Sequence, residues 1–253
     1  MRASGVLLHL SSLPGPQGCG TMGVQARRFV EYLRAAGQSY WQVLPLNPPA
    51  RGDSPYSSFS VFAGNPFFID LSMLAEEDLL SADALESLTA EAKDADYRWC
   101  ETVGMACLRR AFAYSGHRLQ GAVRHFRTQN MFWLPDYALF MALRGSFQGK
   151  PYQQWAEEYR LRSPEALARA RQELAHEIDF WEYVQFLFYS QWRALKRFAN
   201  SRGVQIIGDM PIYVDVDSAD VWANPQVFAL DAQRYPQAGA GVPPDAFSAD
   251  GQL

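Results

Sequence analysis

An α/β fold built on a parallel sheet is predicted by three observations. Short apolar runs bounded by turn residues recur at residues 5–10, 39–46 and 204–208. An amphipathic helical pattern closed by Gly37 joins the first two runs. The chain's 253 residues, 48% of them hydrophobic, suffice for one large α/β domain or two small ones.

The elements follow in order. Residues 5–10 (GVLLHL), bounded by Ser11, Ser12, Pro14 and Gly15, read as a buried strand. Ala26, Phe29, Val30 and Leu33 then share one helical face, with Arg27, Arg28, Glu31 and Arg34 opposite, and Gly37 supplies the C-terminal stop. Residues 39–46 form the next strand, ended by Pro48 and Pro49. Strand, helix, glycine and strand at this spacing make a βαβ unit with a right-handed, parallel crossover. Residues 72–175 turn mostly helical and read as an inserted subdomain. They open on an acidic amphipathic stretch, and Ser163 later caps a helix that has Pro164 at its first position. Trp181, Val184, Phe188, Trp192 and Leu195 form an apolar stripe on a helix ending near Asn200 and Gly203, and VQIIG (204–208) is the third buried strand. The chain thus divides into 1–71, 72–175, 176–214 and 215–253. Three parallel strands fit either an open doubly wound sheet or the front part of a (β/α)8 barrel. In both, the loops after Leu10, Leu46 and Gly208 converge on the ligand face.

Composition excludes several function classes. A net charge of -4 and a pI of about 5.6, without a basic block, give no footprint for nucleic acid or an anionic membrane, so a neutral partner fits better. No signal peptide or bilayer-spanning run is recognisable, and a cytoplasmic setting is expected. Cys19, Cys100 and Cys107 lack metal spacing and read as reduced packing residues. His9 reads as a core histidine, and His117, His125 and His176 are scattered without ligand spacing. No metal or cofactor is expected.

Residues 38–71 carry the densest chemistry: Asp53, Ser54, Tyr56, Ser57, Ser58, Ser60 and Asn65 follow an apolar strand. Aromatic faces stack on the C–H surface of a pyranose while short hydroxyls, amides and carboxylates take its hydroxyl groups, so this is the composition of a sugar site. Gly18, Gly20 and Gly23 spell G-x-G-x-x-G, the dinucleotide signature. Residues 11–17 separate them from the strand, however, and residues 43–47 (VLPLN) offer no acid for a ribose, so they read as a glycine loop. Asp209 directly follows the third strand, and Pro211 stiffens the exit, which favours a rigid ligand-facing carboxylate. Residues 241–252, with a Pro-Pro stem between glycines, could form a stiff flap carrying Phe247 and Gln252, although composition alone favours a surface connection.

Taken together, GVLLHLSSLPGPQGCGTMG, YWQVLPLNPPARGDSPYSSFSVFAGNP, GDMPIYVDVDSADVWANP and GVPPDAFSADGQL resemble the 4-α-glucanotransferases, also called amylomaltases or disproportionating enzymes, of glycoside hydrolase family 77. The resemblance implies an α/β fold, the N-terminal part of a (β/α)8 TIM barrel of the α-amylase type with helical insertions, incomplete in this chain. It implies transfer of α-1,4-glucan segments onto another glucan or glucose, with maltooligosaccharides as partners. It further implies a retaining double displacement by two carboxyl groups about 5 to 5.5 Å apart. Carried onto matching positions, it makes Ser54 and Tyr56 donor-side contacts, Asp209 a sugar-binding carboxylate, Tyr97 a further contact, and Phe247 with Gln252 an acceptor flap. Arg51 stands where several members have an aromatic for a secondary glucan site. The family's nucleophile, acid/base and stabilising carboxylates lie on later strands. None of Asp215, Asp217, Asp220, Asp231, Asp245 and Asp250 matches them, so an N-terminal portion lacking those carboxylates, inactive alone, is expected. The alternative is a stand-alone α-glucan-binding module.

Overall fold

The computed structural model describes residues 2–50, 52–85, 94–211, 213–239, 241 and 243–244. Three parallel strands, β1 (Gly5–Leu7), β2 (Tyr40–Gln42) and β3 (Gln205–Ile207), lie in the order β1-β2-β3. Val6 pairs with Trp41, and Trp41 with Ile206, so these three side chains share one face. That face is covered: Trp41 is fully buried, and its indole N–H donates to the Leu8 carbonyl at 2.8 Å. The alternate residues point the other way, and Leu7 and Ile207 are 55% and 43% exposed.

This corrects two expectations. The strands are not buried on both sides, because helices cover only one face of the three-stranded sheet. They are also shorter than the apolar runs. Residues 10–12 curl into a 3-10 turn held by the Ser12 N–H on the His9 carbonyl, and Pro45 has no N–H with which to extend β2.

Helix α1 (Val24–Ala35) follows β1 and buries Ala26, Val30 and Leu33. It ends in a Schellman motif: Gly37, at φ +70°, bonds the Arg34 carbonyl while the Gln38 N–H reaches Leu33. The acidic stretch is not one continuous helix. Helix α2 (Leu71–Glu76), capped by Asp70, stops where Asp78 takes φ +54°, and residues 86–93 lie outside the described part.

Short α3 (Tyr97–Trp99) leads through a π turn into α4 (Met105–Gln129), then α5 (Leu134–Ser146), α6 (Glu157–Arg160) and α7 (Pro164–Glu173). The Ser163 hydroxyl caps α7 on the Ala166 N–H, with Pro164 at the first position. Helix α8 (Ala175–Ser201) is the spine. Its Phe180, Tyr183, Val184, Leu187 and Phe188 share a core with β2, α1, α2 and α4, and its Ile178 joins a second core with α5, α7 and α9 (Ala219–Ala223). The inserted helices therefore bury their apolar faces against the spine that also covers the sheet. No helix among the described residues is long and apolar enough to cross a membrane.

Candidate functional site

The loops leaving β2 and β3 are stitched together at the C-terminal end of the sheet. The Tyr56 hydroxyl donates to Asp209 Oδ2 at 2.7 Å, and Ser57 Oγ to Asp215 Oδ2 at 2.6 Å. Deeper in, Asp220 accepts from the Ser60 hydroxyl at 3.0 Å and the Val61 N–H at 2.7 Å, and the Ala219 N–H closes onto the Phe59 carbonyl. Burial raises the Asp220 pKa, and those two donors oppose the rise.

The loop itself is folded back by its own backbone. Pro49 and Ser58 form an antiparallel bridge, and Asn47 donates to the carbonyls of Val61 and Ala63, both at 2.9 Å. Gly52 and Asp53 take the left-handed region at the tip, with φ +59° and +56°. Two buried glutamines of α8 fix the far side. Gln185 accepts from the Gly64 N–H at 2.8 Å and returns a bond to the Gly64 carbonyl at 2.9 Å. Gln191 does the same with Asp70, at 2.7 and 2.9 Å.

Tyr56 and Asp209 are brought together, and Tyr56 stays 47% exposed. The bond to Asp209 raises the Tyr56 pKa, because ionising the phenol would remove the donor and set two anions in contact. Ser54 sits at the same tip, where its hydroxyl accepts the Tyr56 N–H at 3.4 Å. Tyr97 is half-buried, its ring 5.9 Å from that of Phe67, and it shares a narrow pocket with His9, Asp53, Pro55 and Asn65. Burial lifts its pKa, offset in part by a bond to Ser11. Arg51, Phe247 and Gln252 lie outside the described residues.

Several hydroxyl-bearing residues credited to a sugar surface are turned inward. Ser58 and Ser60 are buried, Ser57 and Ser60 are bound to Asp215 and Asp220, and Asn65 accepts from the Phe67 N–H at 3.0 Å. Their partners lie in the other loop or in their own turn, so they shape the site's frame. His9 needs the opposite correction: it is half-buried on the pocket wall, 2.7 Å from the Ser11 hydroxyl. Burial holds its pKa below the ordinary histidine value, with the Pro45 carbonyl opposing.

The glycine loop has a packing reason. Gly18 takes φ +75°, and a Cβ on Gly20 would fall 2.0 Å from the Leu10 carbonyl oxygen. Cys19 and Cys100 bring their sulfurs within 3.6 Å, and all three cysteines are free and buried. The two glutamines were missed by sequence reasoning. Their signal was a polar residue set among the buried positions of a helix, where it must find partners.

Comparison with known proteins agrees with this geometry. The family model described as 4-alpha-glucanotransferase matches residues 8–253. The 4-alpha-glucanotransferase of Thermus thermophilus is 47% identical over 255 residues, covering 99% of this chain and 50% of its own length. The chloroplastic/amyloplastic 4-alpha-glucanotransferase of Arabidopsis thaliana is 37% identical, covering 100% of this chain and 44% of its own length. Among solved structures, the amylomaltase from Streptococcus agalactiae in complex with acarbose superposes with a TM-score of 0.95 at 43% identity, over 100% of this chain and 52% of that one. The chain thus spans about half the length of the curated relatives it matches. Loops that carry the GDSPY and GDMPI motifs and meet at Tyr56 and Asp209 now coincide with a family match over nearly every residue, and the chain belongs to the 4-alpha-glucanotransferase family, glycoside hydrolase family 77.

Proposed function

We propose that this chain supplies the donor-side sugar platform of an enzyme that moves α-1,4-glucan segments onto a second glucan or glucose. The observation that carries the reading is the exposed Tyr56–Asp209 pair at the strand ends. An aromatic face with a free edge stacks on a glucose ring while a fixed carboxylate takes its hydroxyls. Ser54 and Tyr97 extend the platform on either side, and Phe247 with Gln252 close it as an acceptor flap. The three strands belong to a (β/α)8 barrel, with residues 72–175 as its helical insertion.

In this reading the reaction is a retaining double displacement, and its nucleophile, acid/base and stabilising carboxylates lie beyond Leu253. The substrates are maltooligosaccharides in a cytoplasmic pool, with neither nucleic acid nor membrane as partner. A second reading, a binding module that works alone, is favoured by the platform's being held by bonds within this chain.

Two measurements on the chain test these readings. Calorimetry with maltoheptaose should show saturable binding that Tyr56→Ala weakens at least about tenfold, equal to about 1.4 kcal/mol. Incubation with maltotriose should release no glucose. Turnover would show that the bond-breaking carboxylates lie within these residues, and absence of binding would remove the sugar platform.

A further inference from the structure

Away from that platform, a cleft of about 530 Å³ opens between α4 and the first turns of α8, a size typical of small-molecule sites. Gly116 sits on its wall, buried in mid-helix, where glycine is otherwise unfavourable. A Cβ there would come within 2.7 Å of the Phe112 ring, so a side chain at 116 would displace the ring from the cleft wall.

On the facing wall the Glu182 side chain is only 4% exposed. Its Oε1 has no hydrogen-bond donor, although Arg127 Nε lies 3.3 Å away, off the line a bond requires. A buried carboxyl oxygen of this kind calls for a donor from whatever enters the cleft. Burial raises the Glu182 pKa, with Arg127 opposing, so the group is inclined to hold a proton and can give a hydrogen bond as well as take one.

The remaining charges balance. Arg124 and Arg127 are matched by Asp179 and Glu182, which leaves little net field to select an anion or a cation. Donors, acceptors and one apolar ring face around a charge-balanced cleft suit a neutral polyhydroxyl molecule.

We propose that the α4/α8 cleft is a second glucan site, taking one or two glucosyl units of a short α-1,4-glucan, with Phe112 against the ring, Glu182 on a buried hydroxyl and Arg124 with Asp179 at the rim. The choice of an α-glucan rests on the function proposed above. The cleft shares none of its lining with the Tyr56–Asp209 platform, so it would hold a chain elsewhere on the protein while the platform works.

The four histidines allow a direct test by proton NMR of their ring resonances. His117 and His176 line the cleft, His9 lines the pocket beside the platform, and His125 lies outside both. Titration of the chain with maltoheptaose should shift His117 and His176 saturably and leave His125 in place. Arg124→Ala with Asp179→Ala, both at exposed positions, should weaken that shift at least about tenfold without altering the thermal midpoint or the His9 response. Glu182→Gln, which keeps the donor, should retain it. Movement of His9 alone would overturn the second site and leave the platform standing. Movement of His117 and His176 alone would support the cleft and count against the platform. Silence of all three, or a shift with inorganic phosphate and none with maltoheptaose, would overturn the cleft proposal.

Discussion

The Tyr56 hydroxyl donates to the Asp209 carboxylate at 2.7 Å across 153 residues of sequence, and both groups face solvent. An exposed bond of this kind adds little to stability, since water competes for both partners. Its effect is positional: it fixes a ring edge and a carboxylate at one distance where the β2 and β3 loops meet.

Tyr56→Phe should therefore change the unfolding free energy by no more than about 0.5 kcal/mol. Maltoheptaose affinity should fall by roughly tenfold, because the ring remains but loses its tether and its hydroxyl. Tyr56→Ala should weaken binding further. In alkaline titration followed by ultraviolet absorbance, Asp209→Asn should bring one tyrosine back toward the ordinary value, since the bond to Asp209 is the leading cause of the raised Tyr56 pKa. An unchanged titration curve would mean that the bond is not formed in solution.

Gln185 and Gln191 carry the opposite balance of effects. Each satisfies one buried N–H and one carbonyl of the loop backbone, at Gly64 and at Asp70. Gln185→Leu would leave both Gly64 groups without partners, at about 1–3 kcal/mol apiece. Urea unfolding should show a loss on the order of 3 kcal/mol, with glucan affinity reduced in the folded fraction because the loop is no longer fixed. A loss under about 0.5 kcal/mol would show that water replaces the amide.

The βαβ unit, its Gly37 stop, the Ser163 cap and the long spine helix were legible in the sequence because each is set by neighbours a few residues away. The meeting of the 52–56 and 208–211 loops was legible through parallel topology, which sends successive strand ends to one face. Exposure of Leu7 and Ile207 was not, because an apolar strand residue carries no mark of whether a second layer covers it. The inward turn of Ser57 and Ser60 was equally hidden, since their acceptors Asp215 and Asp220 lie about 160 residues downstream. Composition names groups able to bind a sugar; it does not say which of them the fold has already used.

The three thiols should be silent in the native protein. Cys19 is pushed well above the ordinary thiol range by its bond to Cys100 and by burial, and burial raises Cys107 against the pull of Arg110. Reaction with Ellman's reagent at neutral pH should be at least about a hundredfold slower than in urea, where all three respond. A fast native phase would place one sulfur at the surface, and Cys19→Ser or Cys107→Ser would identify which.

His9 predicts a pH dependence whose sign follows from its burial. The unfolded chain protonates it near the ordinary value of about 6.5, whereas the folded pocket wall holds its pKa lower. Above the unfolded pKa both states are neutral and the residue is without effect on the balance. As pH falls through about 6.5 the unfolded state takes a proton that the folded state refuses, so stability declines until the lower folded pKa is reached. His9→Gln keeps a side chain able to bond Ser11 and removes the titration. Thermal midpoints measured between about pH 7.5 and 5 should fall less steeply in the variant than in the parent, with the two curves parallel above pH 7. A variant that falls just as steeply would assign the acid sensitivity to another group.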